Sequence, residues 1–304
     1  MREDDQSTAK VLSVAQLSVK DAIQILSGLA QAINPKLGQH MIEVAKLARQ
    51  VGEEMKLEAS YVDQLEIAGM IHDIGLLGLP RELQDKEANL LTEKQYLLYC
   101  EHPITASIAL EGVEELSLVG EMVLYHHEYM NGKGFPTGLS GDQIPLASRI
   151  LLAVSDYCRV LSTWPRDMRR LVNHARRHLG SEEWKRFTFS DDPESIIEAS
   201  AERLLLRNDE CKYDSGVVKA LIRVIYKKKN IDPADIVDLD ELKAGMVLMD
   251  GLHMDGGRLL ITKGTKLVDA SIQTLQTLGE RGLIPRKIYV AIPDQIKSFQ
   301  RNGG

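Results

Sequence analysis

From residue 12 the apolar positions fall at Leu12, Ala15, Val19, Ala22, Leu26, Leu29 and Ile33, in alternating steps of three and four. That is a heptad seam, and it predicts a helix ended by Asn34-Pro35. Two readings of this seam stand level: a coiled-coil pairing of two chains, or an amphipathic helix packed on its own domain. Residues 36–56 predict a second helix, with Leu37, Met41, Val44, Leu47, Ala48, Val51 and Met55 on one side and His40 beside that stripe. A third covers 59–74 and ends in His72-Asp73. After a connection over 75–91, Thr92 and Gln95 form a capping box for a helix through Tyr99. His102-Pro103 opens the next helix, running to about Glu111. Residues 116–128 read as helix up to His126-His127, residues 131–138 as a glycine-rich loop, and 142–162 as a helix carrying Asp156. Further helical patterns lie at 193–208 and 214–228.

Beyond the polar linker Lys227–Asp235 the period changes. Met246–Asp250 and Arg258–Thr262 flank Asp255-Gly256-Gly257, a hairpin signal. A short helix at 269–279 and a strand at Lys287–Ile292 complete a small α+β module with no evident chemistry. The chain thus divides into a helix over 1–35, a helical domain over 36–230 and a module over 231–304.

Composition adds bounds. With 304 residues, 44% hydrophobic and 27% charged, the chain has globular composition and room for two domains. The formal charge of −7 argues against a binder of polymeric nucleic acid. No apolar run approaches the ~20 residues of a membrane span, and no secretory pattern opens the chain. Cys100, Cys158 and Cys211 lack paired spacing, so a reducing, cytoplasmic setting is expected. Residues 163–192 are locally basic, with Arg166, Arg169, Arg170, Arg176, Arg177, Lys185 and Arg186. A solvated face accounts for that segment more simply than an anion-binding patch does.

Candidate chemistry gathers in the helical domain. His40, His72, Asp73, His102, His126, His127 and Asp156 sit on different predicted helices or at their ends, roughly 25–30 residues apart. A bundle can bring such residues together in its core. One histidine alone would read as a packed core residue; two vicinal pairs with single partners do not. Seven nitrogen and oxygen donors without thiolate suit two ions with a bridging carboxylate such as Asp73, iron or manganese first and zinc next.

These residues, with the run His72-Asp73-Ile74-Gly75, the triplet His126-His127-Glu128 and the loop Gly134-Phe135-Pro136-Thr137-Gly138-Leu139, resemble the HD-GYP family of cyclic dinucleotide phosphodiesterases. The resemblance is specific over about 36–162 and weaker over 193–228. It implies a mainly α, HD-type helical bundle with an N-terminal helix of connector type and a trailing α+β module. It also implies a bridged metal centre with His40, His72, Asp73, His102, His126, His127 and Asp156 as ligands. The reaction implied is hydrolysis of cyclic di-GMP or a related cyclic dinucleotide. Gly134, Phe135, Pro136 and Arg166 would meet the substrate.

Four positions depart from the family pattern. The lysine expected after His-Asp-x-Gly is Leu76, the motif tyrosine is Phe135, the aspartate expected three residues after Asp156 is Arg159, and the arginine-rich segment that follows is reduced to Trp164-Pro165-Arg166. Lys36 stands where three-metal relatives carry a glutamate, which implies two ions. Loss of the lysine favours one alternative, a catalytically weak sensor or signalling scaffold; a second alternative is a phosphohydrolase of another nucleotide. Expected partners are a cyclic dinucleotide, a second copy through the N-terminal helix and signalling proteins.

Overall fold

The structure is a computed structural model, and it describes residues 18–84, 90–167, 169–171, 173–174, 193–208, 212–228, 236–248, 252–254, 259–262 and 265–291. Packing groups the chain into two units: Met1–Ser162 with Leu205–Leu221, and Thr163–Leu204 with Ile222–Gly304. This partition differs from boundaries at 35 and 230.

In the first unit, α1 spans Val19–Ile33 and α2 spans Pro35–Glu54. Ser18 and Asp21 form a capping box on α1, while Asn34 caps α2 through Leu37 N with Pro35 in its first turn. The face that α1 buries within its own chain is Ile23, Ser27 and Ala30, not the heptad seam. Leu26, Leu29 and Ile33 remain 39%, 54% and 48% exposed. The intramolecular reading of the seam is therefore corrected: the helix does pack on its domain, but through the neighbouring stripe of Ile23, Ser27 and Ala30. Leu12 and Ala15 lie outside the described residues.

Next come α3 (Ala59–Ile71), a 3-10 turn at Ile74–Gly78, and α4 (Arg81–Gln84). Then α5 (Glu93–Tyr99), α6 (His102–Ile108), α7 (Ser117–Leu124) and α8 (Leu146–Thr163) complete the bundle. The capping box at Thr92 and Gln95 forms as expected. Three helices end earlier than their apolar patterns: α3 before His72, α6 at Ile108 and α7 at Leu124. The core carries Met41, Val44, Leu65, Met122, Ile150 and Leu151, all fully buried. Later helices α9 (Pro193–Asn208) and α10 (Ser215–Lys228) match the pattern closely. No helix among the described residues is long and apolar enough to cross a membrane.

The second unit holds a three-stranded antiparallel sheet in the order β1-β5-β2, from Ile236–Asp238, Lys287–Ala291 and Val247–Leu248. Leu252–His253 (β3) pairs with Leu259–Ile261 (β4). This corrects the expected hairpin: Val247–Leu248 joins β5, and β3 supplies the other arm. The turn Asp255-Gly256-Gly257 lies outside the described residues. The strand β1, without an alternating pattern of its own, was not expected. Helix α11 (Asp269–Glu280) covers the core of Leu248, Leu267, Leu275 and Val290. Of the basic segment, residues 175–192 lie outside the described residues.

Candidate metal centre

Six of the seven expected ligands come together in the first unit. Donor atoms of Asp73, His102, His126 and His127 lie within 4.8 Å of one another, as do those of His40, His72 and Asp73. All six residues are buried.

Three of the histidines are placed by the same local device. His72, His102 and His126 each fall just past a helix end, where the last-turn carbonyls have no partner within the helix. Each ring folds back on such a carbonyl three residues earlier: His72 Nδ1 on Gly69 O at 3.0 Å, His102 Nδ1 on Tyr99 O at 2.6 Å and His126 Nδ1 on Val123 O at 2.6 Å. A carbonyl only accepts, so Nδ1 carries the proton and Nε2 of the neutral ring keeps its lone pair. All three Nε2 atoms are buried without a hydrogen-bond partner, and so is Asp73 Oδ1. A metal-ligating histidine has this pattern, with one nitrogen fixed by a carbonyl and the other left for the ion. The donor set therefore fits a divalent cation.

Asp73 is the centre of the group. Its Oδ1 lies 3.2 Å from His102 Nε2 and 3.4 Å from His126 Nε2. Its Oδ2 lies 3.4 Å from His72 Nε2, 3.7 Å from His40 Nε2 and 3.2 Å from Arg159 Nη2. Burial pushes His126 down to about 4 and His40 down to about 3, so both rings are neutral near pH 7. His127 is depressed by burial as well, and Tyr99 Oη stands 3.5 Å from its Nε2.

Glycine lets the backbone close around this group. A Cβ on Gly75 would lie 2.1 Å from His102 O, so only glycine admits the 3-10 turn against α6. A Cβ on Gly134 would lie 2.4 Å from Glu128 Cα. The loop is also tied down by Glu128, whose buried carboxylate accepts from Thr137 N at 2.6 Å and Gly138 N at 2.9 Å. Phe135 stacks on His127 with ring centroids 4.7 Å apart, and a cis peptide joins it to Pro136. The ring kept at the motif tyrosine position thus covers His127.

Other expected residues have different surroundings. Asp156 stands outside both donor groups; its Oδ2 accepts from Lys212 Nζ at 2.6 Å and Tyr213 Oη at 2.8 Å. Leu76 is buried with Ala30, Leu37, Met41 and Tyr99, an apolar setting. Arg166 belongs to the second unit, where its guanidinium pairs with Glu194 at 2.9 Å. Sequence reasoning missed Lys212, Tyr99 and Ser155, whose Oγ lies 3.1 Å from His40 Nε2. It also missed the contact of Arg159 with Asp73. None of these positions carries a local signal, because each acts through a partner distant in sequence.

The HD domain family model matches residues 19–183. The 3′3′-cGAMP-specific phosphodiesterase 1 of Vibrio cholerae serotype O1 is 33% identical over 150 residues, covering 48% of this chain and 34% of that protein. The cyclic di-GMP phosphodiesterase response regulator RpfG of Xanthomonas campestris pv. campestris is also 33% identical over 150 residues, covering 47% and 39%. The chain thus spans about a third of the length of these curated relatives. Among solved structures, Bd1817, an HDG"Y"P protein from Bdellovibrio bacteriovorus, aligns with a TM-score of 0.47 at 15% identity, covering 67% of this chain and 60% of that one.

Proposed function

The chain belongs to the HD domain family, and from that premise we propose that it hydrolyses a cyclic dinucleotide, cyclic di-GMP first, at a two-ion centre of iron or manganese. The observation that carries the reading is the set of three carbonyl-locked histidines aiming Nε2 atoms, each without a hydrogen-bond partner, around one buried carboxylate. The names of the relatives support the substrate class. In this reading His40, His72 and Asp73 hold one ion, and Asp73, His102, His126 and His127 hold the other, with Asp156 as an additional ligand. Bound there, the ions would supply an activated water and positive charge to the phosphate. Asp73 serves both halves, one oxygen toward each. The Gly134-Phe135-Pro136 backbone forms a wall held by Glu128, and Phe135 screens His127 from solvent. Hydrolysis adds water across one P–O bond of the ring and opens it to a linear dinucleotide.

The reading also has two chains pairing through the exposed seam of α1, and a cytoplasmic location. The sensor alternative draws on one observation: Leu76, in place of the lysine, lies in an apolar cluster and offers no charge. The test is to strip the protein of metal, reload it anaerobically with iron or manganese, and incubate it with cyclic di-GMP and 3′3′-cGAMP. Chromatography should reveal a linear product. Tight binding of either ligand by the loaded protein, with no product over hours, would establish the sensor instead.

A further inference from the structure

We infer that the two halves of the centre bind metal unequally, because Arg159 competes with the ion of the His40–His72 half for Asp73. The inference rests on the two-ion reading above and deepens it. In the His102–His126–His127 half, Asp73 Oδ1 faces only imidazole nitrogens among its described ion-pair contacts, at 3.2 and 3.4 Å. The rings of His102 and His126 are already locked in the ligating tautomer. Two of the three imidazoles of that half are thus set before an ion arrives, while His127 Nε2 has only the 3.5 Å contact with Tyr99 Oη.

The other half is engaged by the protein itself. Arg159 Nη2 lies 3.2 Å from Asp73 Oδ2, the same oxygen that His40 and His72 face. A guanidinium has only donors and a fixed charge, so it cannot ligate a cation; it can only hold the carboxylate and repel the ion. Tyr99 Oη, 3.3 Å from Arg159 Nη1, holds the fork from its other side. Asp156, proposed above as an additional ligand, is bound to Lys212 and Tyr213. His40 Nε2, unlike the nitrogens of the locked rings, has Ser155 Oγ as a partner. An ion entering here must displace Arg159 from Asp73 Oδ2. Occupancy of this half then depends on metal supply in a way that the first does not.

The experiment is a titration of metal-stripped protein with Mn²⁺, followed by calorimetry and by metal analysis after dialysis. Wild type should show two classes of site, the second weaker by about tenfold or more. His102→Ala should remove the tight class and His40→Ala the weak one, which assigns the halves. Arg159→Gln should strengthen the weak class and leave the tight class unchanged. If that variant does not fold, Arg159→Lys serves: it keeps the charge, loses the fork that reaches both Asp73 and Tyr99, and should narrow the gap in part. Two equal classes in wild type, or a gap that neither variant narrows, would overturn the inference and leave the two-ion reading standing. A wild type that takes up no ion at all would overturn both.

Discussion

Asp73→Ala tests the centre most directly. The carboxylate divides its two oxygens between the halves, with His102 and His126 on Oδ1 and His40 and His72 on Oδ2, all within 3.7 Å. Its removal therefore takes the anionic ligand from both ions at once. Removing a group that merely orients a ligand costs about 10–100-fold in metal affinity, and a direct, shared ligand should cost at least that in each half. After dialysis the variant should retain about a tenth or less of the wild-type metal, whereas His40→Ala should retain the ion of the His102–His126–His127 half. The metal-free protein also loses a partner for Arg159. Breaking a buried ion pair costs about 3–5 kcal/mol, but the Arg159 side chain is 26% exposed and can recover water contacts. A loss of about 2 kcal/mol is the expected outcome, read from denaturant unfolding of metal-free protein. Metal content near that of wild type in a folded Asp73→Ala protein would refute the shared-ligand argument.

Three further outcomes follow from named contacts. Glu128→Ala removes the carboxylate that accepts from Thr137 N and Gly138 N; because both amides can turn to water, the expected cost is about 2 kcal/mol, with faster proteolysis within 131–140 and unchanged metal content. Leu26→Asp places a charge in the exposed seam of α1 and should shift a dimer toward monomer by light scattering; a monomeric wild type would contradict the pairing. Leu76→Lys puts an ammonium into the cluster of Ala30, Leu37, Met41 and Tyr99. It should lower stability by about 3 kcal/mol, and a variant as stable as wild type would mean that the lysine reaches the polar site.

The elements that follow short-range rules were legible from the chain. Thr92 with Gln95, and Asn34 before Pro35, begin helices because a cap is satisfied within three residues. The helical stripe on α2 is read correctly because Met41, Val44 and Val51 face a single core. The ligand types and their recurrence, once per helix, were also visible, and with them the prospect of a metal. The three histidines past helix ends even follow a local rule, since each meets a carbonyl three residues back.

What the tertiary structure decided is which faces and charges meet. On α1 the heptad count could not say that Ile23, Ser27 and Ala30 would pack inward, because Ser27 and Ala30 carry little hydrophobic signal and leave Ile23 without an apolar stripe of its own. The arms of the C-terminal hairpin were displaced because Val247–Leu248 found a partner in β5, about 40 residues later in the chain. At the centre, Asp156 reads as a ligand by residue type and spacing, yet Lys212, from a segment 56 residues away, holds its carboxylate. Arg159 reads as a missing aspartate, and only the packing of α8 brings its charge to Asp73. Periodicity and caps act over one or two helical turns, whereas ion pairs form between any residues that folding brings within reach. The donors of this site were written in the chain, and the cations set among them came from the fold.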